Sequence, residues 1–240
     1  MNSGNGGWRR HLLCTKQSTR TTWKLRVGIL ILAIVIAVTT GSFWTAWIGG
    51  SLVCTDTPQP SDVMLLENFD PNYLVFERAA ELEKAGFAGR AIVPVEASSD
   101  PTVPNAVSKG ITEIMARQAR MGTFETIPIL ESEPISLSAA LQIREQLVKE
   151  QVRSVIIVTP GFRSRRSSLV YRTVLHEVDM QVSCVPVFGR TTPERWADTW
   201  HGIQGVTEEF AKLQYYRFYV IPFRSGSGRW SENLRAARHE

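Results

Sequence analysis

Short apolar runs alternate with segments of helical periodicity from residue 62 onward. Apolar runs of strand length predict strands over residues 62–67, 90–95, 126–130, 154–159, 181–188 and 216–221. Apolar residues at helical spacing predict helices over residues 73–85, 105–120, 136–151, 167–178 and 194–214. Strands separated by helices indicate right-handed βαβ units, in which the strands lie parallel and the helices cover the sheet.

These elements predict the fold class as α/β: a three-layer Rossmann-like sandwich with a mainly parallel sheet. Residues 154–159 (SVIIVT) form a continuous β-branched run, typical of a central strand covered on both faces. Pro94 has no amide hydrogen, which favours a weak strand or an edge position for residues 90–95. Ser136 and Ser138 are candidate N-caps of the third helix.

An uncharged stretch occupies residues 27–48 (VGILILAIVIAVTTGSFWTAWI). Because about 20 apolar residues cross a bilayer, it predicts one transmembrane helix with the lipid bilayer as partner. Trp44 and Trp47 at its far end suit the interface, and basic residues flank its near end. The positive-inside rule then makes residues 1–26 a cytoplasmic tail and places the rest outside the cytoplasm. A cleaved signal peptide is the alternative, but the length and the aromatic residues favour an uncleaved anchor.

Composition divides the remaining chain into three parts. Residues 49–61 (GGSLVCTDTPQPS) are interpreted as a linker, residues 62–222 as one α/β domain, and residues 223–240 as a disordered tail. Roughly 180 residues beyond the apolar stretch suffice for one core and are few for two domains.

Charge and cysteine usage exclude several classes of protein. The net charge of +4 is concentrated at the two chain ends, so it does not indicate nucleic-acid binding. Cys54 and Cys184 would both lie outside the cytoplasm, where a disulfide is chemically permitted. Cys184 lies in an apolar run, which favours a buried small side chain over a bridge. The histidines are scattered and no cysteine pair has ligand spacing, so we expect neither a metal nor a cofactor.

A candidate binding loop, residues 159–166 (TPGFRSRR), joins the 154–159 strand to a helix. In open parallel sheets, ligands bind beyond the carboxyl ends of the strands. Helix-start amides, the hydroxyl of Thr159 and the guanidinium groups of Arg163 and Arg166 are the components of a phosphate or carboxylate site. The alternatives are a solvated basic loop, or arginines that contact anionic lipid head groups.

Carboxylates follow the other predicted strands and complete the candidate site. Glu67 ends the first strand, Glu96 follows the second, and Glu131 and Glu133 follow the third. Glu67 or Glu131 could act as a general base or bind a substrate hydroxyl or amine, although exposed acids in loops are ordinary. The sequence contains no dinucleotide fingerprint, no Walker A loop and no nucleophile elbow, so no residue is assigned a catalytic role.

The passage ISLSAALQIREQLVKEQVRSVIIVTPGFRSRRSSLVYRTVL resembles the core of the YdcF/SanA/ElyC-like family, the domain of unknown function 218. Thr159 and Arg166 match the family's strand-end threonine and loop arginine, and Arg163 stands where a histidine is usual. Arg78 and Glu209 match residues of the family's first and closing helices. The resemblance covers residues from about 62 to 221. It implies a membrane-anchored protein of the bacterial envelope, linked to cell-wall or surface-polysaccharide assembly.

The chain departs from the family pattern at three turns. Residues 67–69 (ENF) and 96–97 (EA) replace glycine-containing turns, and residues 136–140 (SLSAA) replace a Thr-x-x-x-Asn-Ala segment. Without glycine, close approach of the backbone to a ligand is harder.

Three hypotheses follow for the function. The first is a binding protein whose arginine loop holds an anionic group of a glycan or lipid precursor. The second is an enzyme in which Arg163 and Arg166 orient a phosphate and Glu67 or Glu131 acts as base. The third is an interaction module whose pocket has decayed. The missing glycines favour the first and third over the second.

Overall fold

A computed structural model of the chain describes residues 23–225. Most of the predicted cytoplasmic tail, residues 1–22, lies outside this range, and so does most of the predicted disordered tail, residues 226–240. Contacts along the chain define two compact units, divided between Ser42 and Phe43.

Two helices occupy the apolar stretch. Helix α1 spans Trp23–Thr39 and helix α2 spans Gly41–Ser51, so the prediction of one continuous helix over residues 27–48 is wrong. The hydroxyl of Thr39 donates to the carbonyl of Val35 (2.8 Å), a local bond that competes with regular helix. Gly41 follows, and glycine is a poor helix former. Within residues 23–225, no helix combines the length and the apolar character needed to cross a membrane.

A sheet of five parallel strands forms the centre of the second unit. The strands are β1 (Val63–Leu66), β2 (Ala91–Glu96), β3 (Phe124–Ile129), β4 (Ser154–Pro160) and β5 (Gln181–Val187). Their order in the sheet is β3-β2-β1-β4-β5. The helices are α3 (Tyr73–Lys84), α4 (Ala106–Gln118), α5 (Ile135–Lys149), α6 (Ser164–His176) and α7 (Trp200–Tyr215). Short 3₁₀ turns cover Gly161–Arg163 and Trp196–Asp198, and a π-helix, Tyr216–Ser225, follows α7.

Helices cover both faces of the sheet, which confirms the predicted α/β class and is consistent with a Rossmann-like arrangement. Val63 and Leu65 of β1 pack in one apolar cluster with α5 and α6. Met64 and Leu66 point to the other face and pack with α3 and α4. All four residues of β1 are therefore buried, as expected for a parallel strand between two helical layers.

The strand that contains Pro94 does not lie at an edge of the sheet, so the edge alternative of the prediction is wrong. Strand β2 lies between β1 and β3. Its register with β1 ends at Leu65–Ile92, while its register with β3 continues to Glu96–Ile129. Pro94 therefore lies beyond the paired part of β1, and its missing amide hydrogen removes no bond from that ladder.

Residues 216–221, predicted as a last strand, instead begin the π-helix. Tyr216 and Val220 are buried in the cluster with α5 and α6, while Phe218 and Tyr219 are exposed. Tyr216 and Val220 are four residues apart, a spacing that places both on one helical face as readily as on one face of a strand. A six-residue apolar run does not distinguish these alternatives by periodicity.

The segment interpreted as a linker is packed against the domain. Leu52 and Cys54 are buried, and the Leu52 carbonyl accepts a hydrogen bond from the amide of Arg165 (3.0 Å). Cys54 and Cys184 form a disulfide with a Cα–Cα distance of 6.3 Å. Cys184 is buried, as its apolar run predicted, but it is bridged, contrary to the interpretation as a free side chain.

Candidate functional site

The candidate site lies where the chain reverses its path across the sheet. Strand β1 is followed by β2 and β3 on one side, and the chain then crosses to β4 and β5 on the other. Ligands of open α/β sheets bind in the crevice at such a point, outside the carboxyl ends of the strands. Leu66 pairs with Val158 at the ends of β1 and β4, so the residues that follow, Glu67 and Thr159, are neighbours in this crevice.

Glu67 is the most deeply buried acid of this crevice, with no exposed surface. The hydroxyl of Thr159 donates to its Oε2 atom, and the hydroxyl of Ser167 donates to the same atom at 2.5 Å. Its other oxygen, Oε1, is buried and has no hydrogen-bond partner within residues 23–225. The carboxyl group is thus held by two hydroxyls on one side only.

Arg163 ends the 3₁₀ turn after β4 and lies between three carboxyl groups. It forms an ion pair with Asp70, and its Nε atom lies 3.5 Å from Oε1 of Glu209, too far for a good hydrogen bond. Burial disfavours the charged guanidinium, but the field of Glu67 and the pairs with Asp70 and Glu209 outweigh it and raise the pKa of Arg163. The hydrogen bond from Arg163 in turn lowers the pKa of Asp70.

Arg166, in the first turn of α6, has carboxylate, hydroxyl and aromatic partners. Its Nη2 and Nε atoms lie 3.0 and 3.2 Å from Oε2 of Glu209, and Nη1 donates to the hydroxyl of Ser136 at 2.6 Å. The guanidinium also lies over the ring of Tyr216, 5.4 Å from its centroid. The Tyr216 hydroxyl accepts a hydrogen bond from the amide of Ser136 (3.2 Å), which closes the network.

The side chains of Ser136 and Ser138 form hydrogen bonds inside the domain and do not cap α5. The helix begins after Pro134, and no side chain caps it there. Ser138 is fully buried and accepts a hydrogen bond from the hydroxyl of Ser132 at 2.8 Å. The prediction that either serine is an N-cap is therefore wrong, because the helix starts earlier and turns both side chains inward.

The positive charge predicted to bind an anion is thus balanced within the domain. Two guanidinium groups, Arg163 and Arg166, face the three carboxyl groups of Glu67, Asp70 and Glu209. An anion that entered the crevice would have to displace a carboxylate from an existing pair and would lie beside the remaining acids. The arrangement suits an internal ion network better than a phosphate cradle.

The structure separates the fifth candidate residue from the other four. Thr159, Arg163, Arg166 and Glu67 belong to the network described above. Glu131 instead lines a small cavity of about 120 Å³ beside β2 and β3, together with Asn68 and Glu96. Arg78 pairs with Glu81 on the exposed face of α3 at 2.6 Å and does not reach the network.

Four residues of the site were not among the candidates that the sequence indicated: Asp70, Ser167, Tyr171 and Tyr216. Arg163, Ser167 and Tyr171 are spaced four residues apart, so they share one face of α6 and its preceding turn, a signal that helical geometry offers. The Tyr171 hydroxyl is buried and has no hydrogen-bond partner in the described part of the chain. Burial, and then the field of Glu67, raise the pKa of Tyr171, so its proton stays bound.

Comparison with known proteins does not assign the chain to a family. No protein-family model matches the sequence, and no curated protein is significantly similar to it. The resemblance to the YdcF/SanA/ElyC-like family therefore stays a prediction.

Proposed function

We propose that the chain is a membrane-tethered binding module of the bacterial envelope, whose α/β domain lies outside the cytoplasm and whose β1–β4 crevice performs no catalysis. The observation that carries the proposal is the pairing of Arg163 and Arg166 with the domain's own carboxylates. In related architectures this crevice receives the ligand. Here side chains fill it, which favours an interaction module over an enzyme.

The disulfide supports the extracytoplasmic location. Disulfides persist in oxidising compartments and are rare in the cytosol. The Cys54–Cys184 bridge joins residues 130 positions apart and is part of the packed domain.

The apolar N-terminal stretch supports the tether. Residues 27–48 carry no charge, and the side chains of Leu30, Ile31 and Leu32 on α1 are exposed. Apolar side chains in such a continuous row are costly in water and are covered when they lie in lipid.

Topology mapping tests the compartment and the tether together. We expect a periplasmic-reporter enzyme fused after residue 225 to be active in bacterial cells, and the same reporter fused before residue 23 to be inactive. We also expect alkaline carbonate to leave the full chain in the membrane fraction. Release of the chain by carbonate, or protection of the domain from protease added to spheroplasts, would overturn the proposal.

Ligand addition tests whether the crevice is closed to its usual ligands. We expect a nucleoside diphosphate, a sugar phosphate and inorganic phosphate to leave the melting temperature of the full chain within about 1 °C, because a ligand raises it only by binding the native state. Thr159→Val is the matched variant, since it changes the crevice without removing a charge. A saturable rise in melting temperature that Thr159→Val abolishes would identify a working ligand site and contradict the proposal.

A further inference from the structure

A large groove lies outside the β1–β4 crevice, between α2, α6 and α7. Its volume is about 1160 Å³, and none of its lining residues belongs to the Glu67 network. Apolar side chains form most of its walls, among them Trp47, Ile48, Leu169, Phe210 and Leu213. Small-molecule pockets in proteins usually measure about 300–1,000 Å³, so the groove has room for a ligand with a long chain.

The floor of the groove is a packed structure that joins α2 to the domain. Leu52, Trp196, Val206 and Leu213 form a separate buried apolar cluster there. The indole Nε1 of Trp196 donates to the carbonyl of Thr45 at 2.8 Å. All of these residues belong to the second compact unit, so the groove is preformed within it.

The polar part of the groove is basic. Arg165, Arg172 and Arg217 line it, and none of the described residues that line it is Asp or Glu. Arg172 pairs with Asp56, but Arg165 and Arg217 are exposed and form no ion pair with a carboxylate within residues 23–225. Unlike the arginines of the crevice, these two have donors available for a ligand.

We propose that this groove binds an amphiphile with one long apolar chain and a phosphate-type anionic head group. The apolar walls cover the chain, while Arg165 and Arg217 pair with the head group. Residues 1–22 are a poor occupant, because they have four Lys or Arg side chains and no acidic one, and the same arginines would repel them. Residues 226–240 have three arginines and two glutamates, so they lack the net negative charge of the proposed head group.

The position of the groove in the sequence fits a ligand that comes from a membrane. Trp47 and Ile48 line the groove and are also the last residues of the uncharged stretch. This step rests on the proposed membrane tether, which would bring the groove close to lipid-borne ligands. The site chemistry itself depends only on the apolar walls and the two arginines.

Photo-crosslinking tests the groove directly. The full chain in phosphatidylcholine nanodiscs receives a hexadecyl phosphate that carries a diazirine in its chain, and labelled peptides are mapped by mass spectrometry. We expect saturable labelling of the peptides that contain Leu169 and Phe210. We expect at least about tenfold weaker labelling by a second probe, which has the same chain and a choline group in place of the phosphate. This cationic head group cannot pair with the arginines.

Two double variants distinguish the effect of the groove arginines on labelling from the effect of a general loss of positive charge. In Arg165→Gln/Arg217→Gln we expect the probe concentration for half-maximal labelling to rise about tenfold, a change equal to roughly 1.4 kcal/mol. Arg190→Gln/Arg195→Gln is the matched control, since it removes the same charge from exposed positions outside the groove lining. Its labelling should equal that of the unchanged protein.

Several results would overturn the inference. These are equal labelling by the choline probe, unchanged labelling in Arg165→Gln/Arg217→Gln, labelling confined to residues 23–42, or complete displacement of the probe by millimolar inorganic phosphate. The last would indicate a site for free phosphate. The probe is added to purified protein, so the two experiments fail independently. If topology mapping gives the expected result but the groove is not labelled, the groove proposal alone is rejected. If the groove is labelled but topology mapping fails, the tether alone is rejected.

Discussion

Replacing Arg166 with Met will destabilise the domain by about 3 kcal/mol, because removal of one partner from a buried ion pair leaves the other charge uncompensated. The Arg166 side chain is 6% exposed and that of Glu209 is 13% exposed. Such losses are typically about 3–5 kcal/mol, and we expect the lower end because Arg163 still lies 3.5 Å from Glu209. Urea unfolding of residues 43–240, followed by tryptophan fluorescence, measures the change in the free energy of unfolding.

The double variant Arg166→Met/Glu209→Met checks the cause. If an unpaired buried charge causes the loss of stability, removing both partners should restore the free energy of unfolding to within about 1 kcal/mol of that of the original protein. Arg195→Met is the surface control, because its pair with Asp198 is exposed and should contribute less than about 0.5 kcal/mol. If Arg166→Met left stability unchanged and removed binding of a phosphate ligand, the anion site predicted from the sequence would be correct and the internal network would not.

Removing the disulfide with Cys54→Ala/Cys184→Ala will lower the free energy of unfolding by about 2–4 kcal/mol, because the bridge closes a long loop in the unfolded chain. For a domain of this size that corresponds to a fall in melting temperature of roughly 5–15 °C. Hydrogen exchange should rise most in the segment around Leu52, which loses its covalent link to β5. Differential scanning calorimetry of the full chain measures the first effect, and mass spectrometry of exchanged peptides the second.

Cys14→Ala is the matched control for the disulfide, since it removes the third cysteine and leaves the bridge intact. Its melting temperature should equal that of the unchanged protein. If both Cys54 and Cys184 were alkylated by a thiol reagent in unfolded, unreduced protein, the bridge would be absent. An oxidising compartment would then have no support from the cysteines.

The periodicity of the apolar residues predicted most of the strands and helices correctly, because the residue types of each segment, or the residue that follows it, also fit that element. Residues 154–159 are continuous and β-branched, and they form β4 within one residue of the predicted end. Residues 73–85 have helical spacing and a following Gly86, which adopts φ +77° at the end of α3. The prediction of a strand over residues 216–221 was wrong because a six-residue apolar run fits a helical pattern and a strand pattern equally well.

The candidate site was harder to predict because its decisive contacts join distant parts of the chain. Sequence position placed Glu67 and Thr159 at the carboxyl ends of their predicted strands, but it did not give the strand order, and only the structure shows that β1 and β4 are neighbours. Sequence position did not show that Asp70 would pair with Arg163, because the conformation of the loop after β1 has no periodic signal. It also could not pair Cys54 with Cys184, since their separation in space depends on how the segment after α2 packs.

The order of the strands leaves β3 and β5 at the two margins of the sheet, and each of them contains a proline. Backbone bonds to the inner neighbours are made by Ile129 of β3 and Gln181 of β5, so Pro128 and Pro186 point outward by alternation. The outward amide of Cys184 is already occupied by the carboxylate of Asp56 (3.0 Å). Neither margin offers an unbroken row of donors to a strand from another molecule, which protects the protein from aggregation by sheet extension.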